Sequence, residues 1–156
     1  MKCVRLRFLM PLACILVTVL FIWSNSMRNA AASTEQSNFF GEFFKSLFDI
    51  EREPFRFIYE NRRKVAHFAE FALLGGEICL FLALNFPRRF AFYAFGGLCG
   101  VTVAVVDECI QLFSPGRAAA LADVALDSAG VLTGMLATVG LVFLALYWHN
   151  RRRGDS

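Results

Sequence analysis

The chain has 156 residues, 57% of them hydrophobic and 15% aromatic, with a mean hydropathy of +0.52 and a formal net charge of only +3. That apolar content is too high for a soluble domain of this length, so lipid is the expected solvent for much of the chain. No basic stripe with interleaved aromatics is present, which excludes nucleic acid as an expected partner. The five cysteines (Cys3, Cys14, Cys79, Cys99 and Cys109) make no CxxC pair and suggest neither a disulfide framework nor a zinc knuckle, so they are expected to be small packing residues.

The first apolar stretch is Phe8 to Trp23. A helix needs roughly 20 apolar residues to cross the hydrocarbon core, and Val4 and Leu6 extend this one if Arg5 and Arg7 snorkel to the interface. Its basic start and the small residues at Ala30 to Ala32 resemble a secretory signal. The apolar run is longer than the roughly 7–15 residues of a signal core, however, so an uncleaved anchor is expected. Cys14 lies mid-run behind Pro11 and Leu12, a poor site for lipoprotein modification.

From Ser24 to Lys64 the chain is long and mixed in charge. Phe40, Phe43, Phe44, Leu47 and Phe48 fall at helical spacing, with Glu42, Lys45 and Asp49 on the other face. As a helix stopped by Pro54, this segment either lies in the membrane interface with its phenylalanines among the lipids or packs on the rest of the protein.

Three longer apolar stretches follow, at about 65–86, 90–113 and 121–148, each long enough to span. Gly96 with Gly100, and Gly130 with Gly134, stand at the GxxxG spacing that lets membrane helices approach closely, and Gly75 and Gly76 can do the same. The expected architecture is an all-α integral membrane protein, a bundle of four transmembrane helices. Lys2, Arg5 and Arg7, the turn with Arg88 and Arg89, and the tail with Arg151, Arg152 and Arg153 then share one side, while the other short turn holds only Arg117. The bias of Lys and Arg in short loops places both termini in the cytoplasm. The expected division is 1–23 for the cytoplasmic start and first span, 24–64 for an extracytoplasmic loop, 65–148 for three further spans and 149–156 for a basic cytoplasmic tail.

Ionisable residues recur where a bilayer makes them costly. Lys64, His67 and Glu70 open the second span, and Glu77 lies near its middle. Asp107, Glu108 and Gln111 end the third, Arg117 follows the bend at Pro115 and Gly116, and Asp123 and Asp127 open the fourth. Asp107 to Phe113 covers roughly 9 Å of helix, so Asp107 lies no more than about a third of the way in. With alternating spans, all of these except Glu77 sit at the same outer end. Each acid would cost about 2.5–3.5 kcal/mol at the membrane centre. Grouping them favours a polar, water-accessible pocket open to the outside, the alternative being hydrogen bonds that only hold the helices together. Glu77 is expected to be protonated or bonded to a neighbouring helix, the alternative being a pairing with a partner in a membrane complex.

Three segments in this order resemble the VanZ-like family of bacterial membrane proteins. "KVAHFAEFALLG" carries Lys64, His67, Phe68, Glu70 and Phe71. "DECIQLFSPGR" carries Asp107, Glu108, Gln111, Phe113, Pro115, Gly116 and Arg117. Asp123 and Val124 follow, with Gly130 and Gly134. The resemblance runs from about Arg63 to Gly134, and its most specific part is the second segment. Asp127 departs from the family pattern, which usually has Asn there. The resemblance implies a multi-pass protein of the bacterial cytoplasmic membrane with an envelope role; the family takes its name from a protein associated with teicoplanin resistance.

Three functions remain open on these residues. The pocket can bind an envelope lipid, a head group or a lipidated glycopeptide through Lys64, His67, Glu70, Asp107, Glu108, Gln111, Arg117, Asp123 and Asp127, among membrane lipids as the general partner. It can instead be an enzyme on a lipid-linked envelope substrate, with His67 as general acid or base, Glu108 or Asp107 orienting it, and Arg117 stabilising a phosphate. Or the protein buttresses a larger membrane complex. A metal held by His67 with Glu70 and carboxylates from the other spans is a variant, but with a single histidine in reach no metal or cofactor is assigned.

Overall fold

The computed structural model describes residues 2–27, 42, 55–87, 89–114 and 120–154, and every regular element among them is an α-helix. These are α1 (Lys2–Ser26), α2 (Phe55–Glu60), α3 (Arg62–Asn85), α4 (Phe90–Leu112) and α5 (Leu121–Gly154). Four are long and apolar enough to cross a membrane, over Leu6–Ser26, Arg62–Asn85, Phe90–Leu112 and Leu121–Arg152. The four-helix membrane architecture expected from the apolar stretches is present.

Helix ends differ from the apolar boundaries because polar residues continue the helices. α1 runs on to Ser26, α3 starts at Arg62, and α5 continues through the basic residues after Trp148 as far as Gly154. Arginine is a good helix former, and α5 meets no proline. The phenylalanine-rich segment lies outside the described residues, apart from Glu42, which is helical.

Successive spans run in opposite directions, and side-chain contacts tie their ends together. Asn25 near the end of α1 bonds Glu70 near the start of α3, and Ser114 after α4 bonds the carbonyl of Ser26. The backbone just before α5 bonds Glu108 near the end of α4. The C-terminal ends of α1 and α4 and the N-terminal ends of α3 and α5 therefore share one end of the bundle. At the opposite end, Phe8 of α1 meets Phe81 of α3 edge-on at 5.1 Å, and Phe81, Phe86 and Phe92 form an aromatic chain around the α3–α4 turn.

The closest packing is between α3 and α5. A Cβ on Gly134 would collide with the carbonyl of Ala72, and one on Gly75 with the carbonyl of Val131, so these backbones are in direct contact. Helices in lipid gain little from hydrophobic burial and associate through such close packing. α4 joins them with Gly100, where an added Cβ would lie 2.6 Å from Val131 Cγ1. The apolar core is Ile22, Phe71, Leu74, Ile78, Leu82, Ala104 and Val131.

The distribution of polarity is the reverse of a soluble protein's. Leu136 is 72% exposed, and Leu141, Phe143 and Trp148 on the same helix are exposed too, whereas Asp107, Glu108, Gln111 and Asp127 are buried. Lipid accepts the first set and rejects the second. Among the described cysteines only Cys79 packs inside. Cys14, Cys99 and Cys109 lie on exposed faces, contrary to their expected role as packing residues.

Candidate functional site

Each of three helices has an inward stripe that is apolar or small for most of its length and turns polar at one end. On α3 the stripe Ile78, Leu74 and Phe71 continues at helical spacing to His67. On α4, Gly96, Gly100 and Ala104 continue to Asp107, Glu108 and Gln111, all buried. On α5, Gly134, Val131 and Gly130 continue to Asp127, also buried. The site is the polar cap of the core, assembled because these stripes face one another.

At its centre, His67 Nδ1 lies 3.9 Å from Asp107 Oδ2 and 4.0 Å from Asp127 Oδ2. Gln111 Nε2 donates to Asp107 Oδ2 at 2.9 Å, and Arg63 Nη2 donates to Gln111 Oε1 at 3.4 Å. A connected path thus runs from an exposed guanidinium to a fully buried carboxylate. Around it, Asn25 Nδ2 donates to Glu70 Oε1 at 3.1 Å, and the backbone N–H of Ala120 donates to Glu108 Oε1 at 2.6 Å. At the rim, Lys64 Nζ lies 3.9 Å from Asp123 Oδ1, with the lysine side chain 61% exposed.

At this end four buried carboxylate oxygens have no hydrogen-bond partner among the described residues: Glu70 Oε2, Asp107 Oδ1, Glu108 Oε2 and Asp127 Oδ1. Buried polar atoms are nearly always satisfied, so this concentration at one end of a bundle is unusual. A partly buried imidazole between two carboxylates can take up or release a proton, or hold a cation, while the exposed cations of the rim can meet an anion.

The residues singled out in the sequence converge: Lys64, His67, Glu70, Asp107, Glu108, Gln111, Asp123 and Asp127 share this end. Arg117, with Pro115 and Gly116, lies outside the described residues. Glu77 is elsewhere, accepting a 3.1 Å hydrogen bond from Thr18 Oγ1 of α1, the neighbouring-helix bond expected of it. Sequence pattern did not single out Arg63, Asn25, Ser26 or Ser114. Asn25 and Ser26 carry no charge and so escape a search for ionisable groups, although their place at the end of the first span is a usable signal. Arg63 stands beside Lys64 but just before the apolar stretch, where it reads as part of the preceding loop.

The VanZ/LLP1 family model matches residues 8–145, most of the chain, and the chain belongs to the VanZ-like family. The match takes in α1 as well as the three later spans, and so reaches well beyond the segment from Arg63 to Gly134 that carries the recognisable motifs. No curated protein and no solved structure matches the chain.

Proposed function

We propose that this VanZ-like membrane protein binds the head group of an anionic envelope amphiphile at its polar end, from the outer side of the bacterial cytoplasmic membrane. The observation that carries this reading is the position of Arg63 and Lys64. Both are exposed in the first turn of α3, which has no acidic residue and no side-chain cap from Asn61. Cations there oppose the helix dipole, so helix stability does not account for them. A helix N-terminus with added positive charge attracts a phosphate or carboxylate.

The rim and interior then divide the ligand between them. Arg63 and Lys64 meet the anionic group, and the acids behind them suit hydroxyls or an amine of the same head group. The apolar outer faces of the bundle meet the acyl chains. A lipidated glycopeptide has the same parts, which makes a contribution to teicoplanin resistance the corresponding phenotype. The outward placement rests on the basic residues of the opposite end, Arg89, Arg151 and Arg152, which favour the cytoplasm.

The test is native mass spectrometry of the detergent-purified full chain titrated with phosphatidylglycerol or phosphatidylcholine. The reading predicts one phosphatidylglycerol retained under activation that strips phosphatidylcholine; equal release of the two contradicts it. A second reading, acid–base catalysis on a lipid-linked substrate, is favoured by the placement of His67 beside Asp107. It predicts an altered envelope lipid profile in cells carrying His67→Gln.

A further inference from the structure

We propose that His67, Asp107 and Asp127 form a binding site for one divalent transition cation of the Mn, Fe or Zn class. One donor atom from each of α3, α4 and α5 lies within 4.8 Å of the other two. The separations of 3.9 and 4.0 Å from His67 Nδ1 to the two carboxylates are too long for hydrogen bonds. They are the right length for a shared ion. Two bonds of about 2.1 Å subtend roughly 3 Å at a right angle and roughly 4 Å at a wide one.

A second observation points to a ligand independently of that spacing. Asp107 is 0% exposed and Asp127 1%, yet among the described residues Oδ1 of each has no hydrogen-bond partner. Both side chains are closed off from solvent, and a carboxylate oxygen left without a donor there is costly. A dication that each aspartate chelates through both of its oxygens, Oδ2 toward His67 and Oδ1 beside it, satisfies these atoms and offsets their joint charge, leaving the centre neutral where the surroundings penalise net charge.

The remaining contacts resemble those that support metal ligands. Gln111 holds Asp107 from one turn away and is itself held by Arg63, an outer shell that orients a ligand carboxylate. The donor chemistry selects the class of ion. One imidazole and two carboxylates suit Mn, Fe or Zn, whereas copper(I) favours sulfur and magnesium favours oxygen alone. None of the three donors is a thiolate.

The cation site goes beyond the head-group reading and does not depend on it. The experiment uses the full chain, purified in detergent without a polyhistidine tag, stripped with a chelator and titrated calorimetrically with Zn²⁺ or Mn²⁺. The wild type is expected to take up one ion per chain. His67→Gln and Asp127→Asn are each expected to weaken binding by about 100-fold, and Gln111→Leu by about 10-fold to 100-fold. Glu77→Gln, away from the site and bonded to Thr18 of α1, should bind as the wild type does. Cobalt(II) in the site should show d–d bands without a sulfur charge-transfer band. Failure of the wild type to bind either ion overturns the proposal whatever the variants do. So does one-to-one binding that survives His67→Gln combined with Asp127→Asn, or a cobalt–sulfur band. Loss of lipid selectivity alone would overturn the head-group reading and leave the cation site standing.

Discussion

Gln111 Nε2 donates a 2.9 Å hydrogen bond to Asp107 Oδ2, one turn back on the same helix, while Arg63 from another helix donates to Gln111 Oε1. A neutral amide thus stands between an exposed guanidinium and the most deeply buried acid of the cluster. Gln111→Leu removes the donor but keeps most of the volume. It should lower stability by about 1–3 kcal/mol, the cost of leaving a buried carboxylate without its donor. Arg63→Ala, at the exposed end of a longer contact, should cost less than about 1 kcal/mol. Equilibrium unfolding in mixed detergent–SDS micelles measures both.

Helix contact makes an equally direct prediction on α5. Gly134→Ala forces a methyl group into the carbonyl of Ala72, whereas an added Cβ at Gly140 meets nothing within 4 Å. Gly134→Ala should destabilise by at least about 1–3 kcal/mol, the usual range for overpacking. Gly140→Ala should be neutral or slightly stabilising, because alanine is the better helix former. The same unfolding assay checks the pair, and equal effects would contradict the close α3–α5 contact.

The bundle was legible in the sequence because lipid imposes long apolar stretches, and the glycines at GxxxG spacing marked a contact that is present at Gly130 and Gly134. The site was legible through charge: each acid at the end of an apolar run had to go somewhere, and alternation of the spans sends them to one end. Which oxygens find partners was not legible. Ser114 bonding the Ser26 carbonyl, or Ala120 N–H bonding Glu108, depends on backbone positions 88 and 12 residues away that no local pattern encodes. The polar run-on of α1 and α5 was missed because apolar content marks the membrane boundary and not the helix end.

Glu108 was singled out as an ionisable group of the site, and its geometry yields a sharper test. Its Oε1 receives the N–H of Ala120 just before α5, so it also fastens the α4–α5 connection. Glu108→Gln keeps a carbonyl acceptor and should hold stability within about 1 kcal/mol of the wild type. Glu108→Ala leaves that N–H without its acceptor and should cost about 1–3 kcal/mol. If ligand retention falls in Glu108→Gln while stability is kept, the carboxylate acts on the ligand and is more than a fastening.

Away from the site, Thr18 and Glu77 link α1 to α3. A double-mutant cycle with Thr18→Val and Glu77→Gln should give a coupling of about 0.6 kcal/mol, the average for interhelical hydrogen bonds in a membrane. A coupling near zero would mean that α1 is held by its apolar packing, at Ile22 and Phe8, and by its terminal bonds.

The central claim is that the polar end, and not basic charge in general, recognises an anionic head group. The most direct measurement compares phosphatidylglycerol retention by native mass spectrometry in wild type, Arg63→Gln/Lys64→Gln and Arg151→Gln/Arg152→Gln. The two double variants remove the same charge from opposite ends of the bundle. The first should weaken retention by about tenfold or more, equivalent to about 1.4 kcal/mol, and the second should match the wild type. Equal loss in both, or no loss in the first, would contradict the claim.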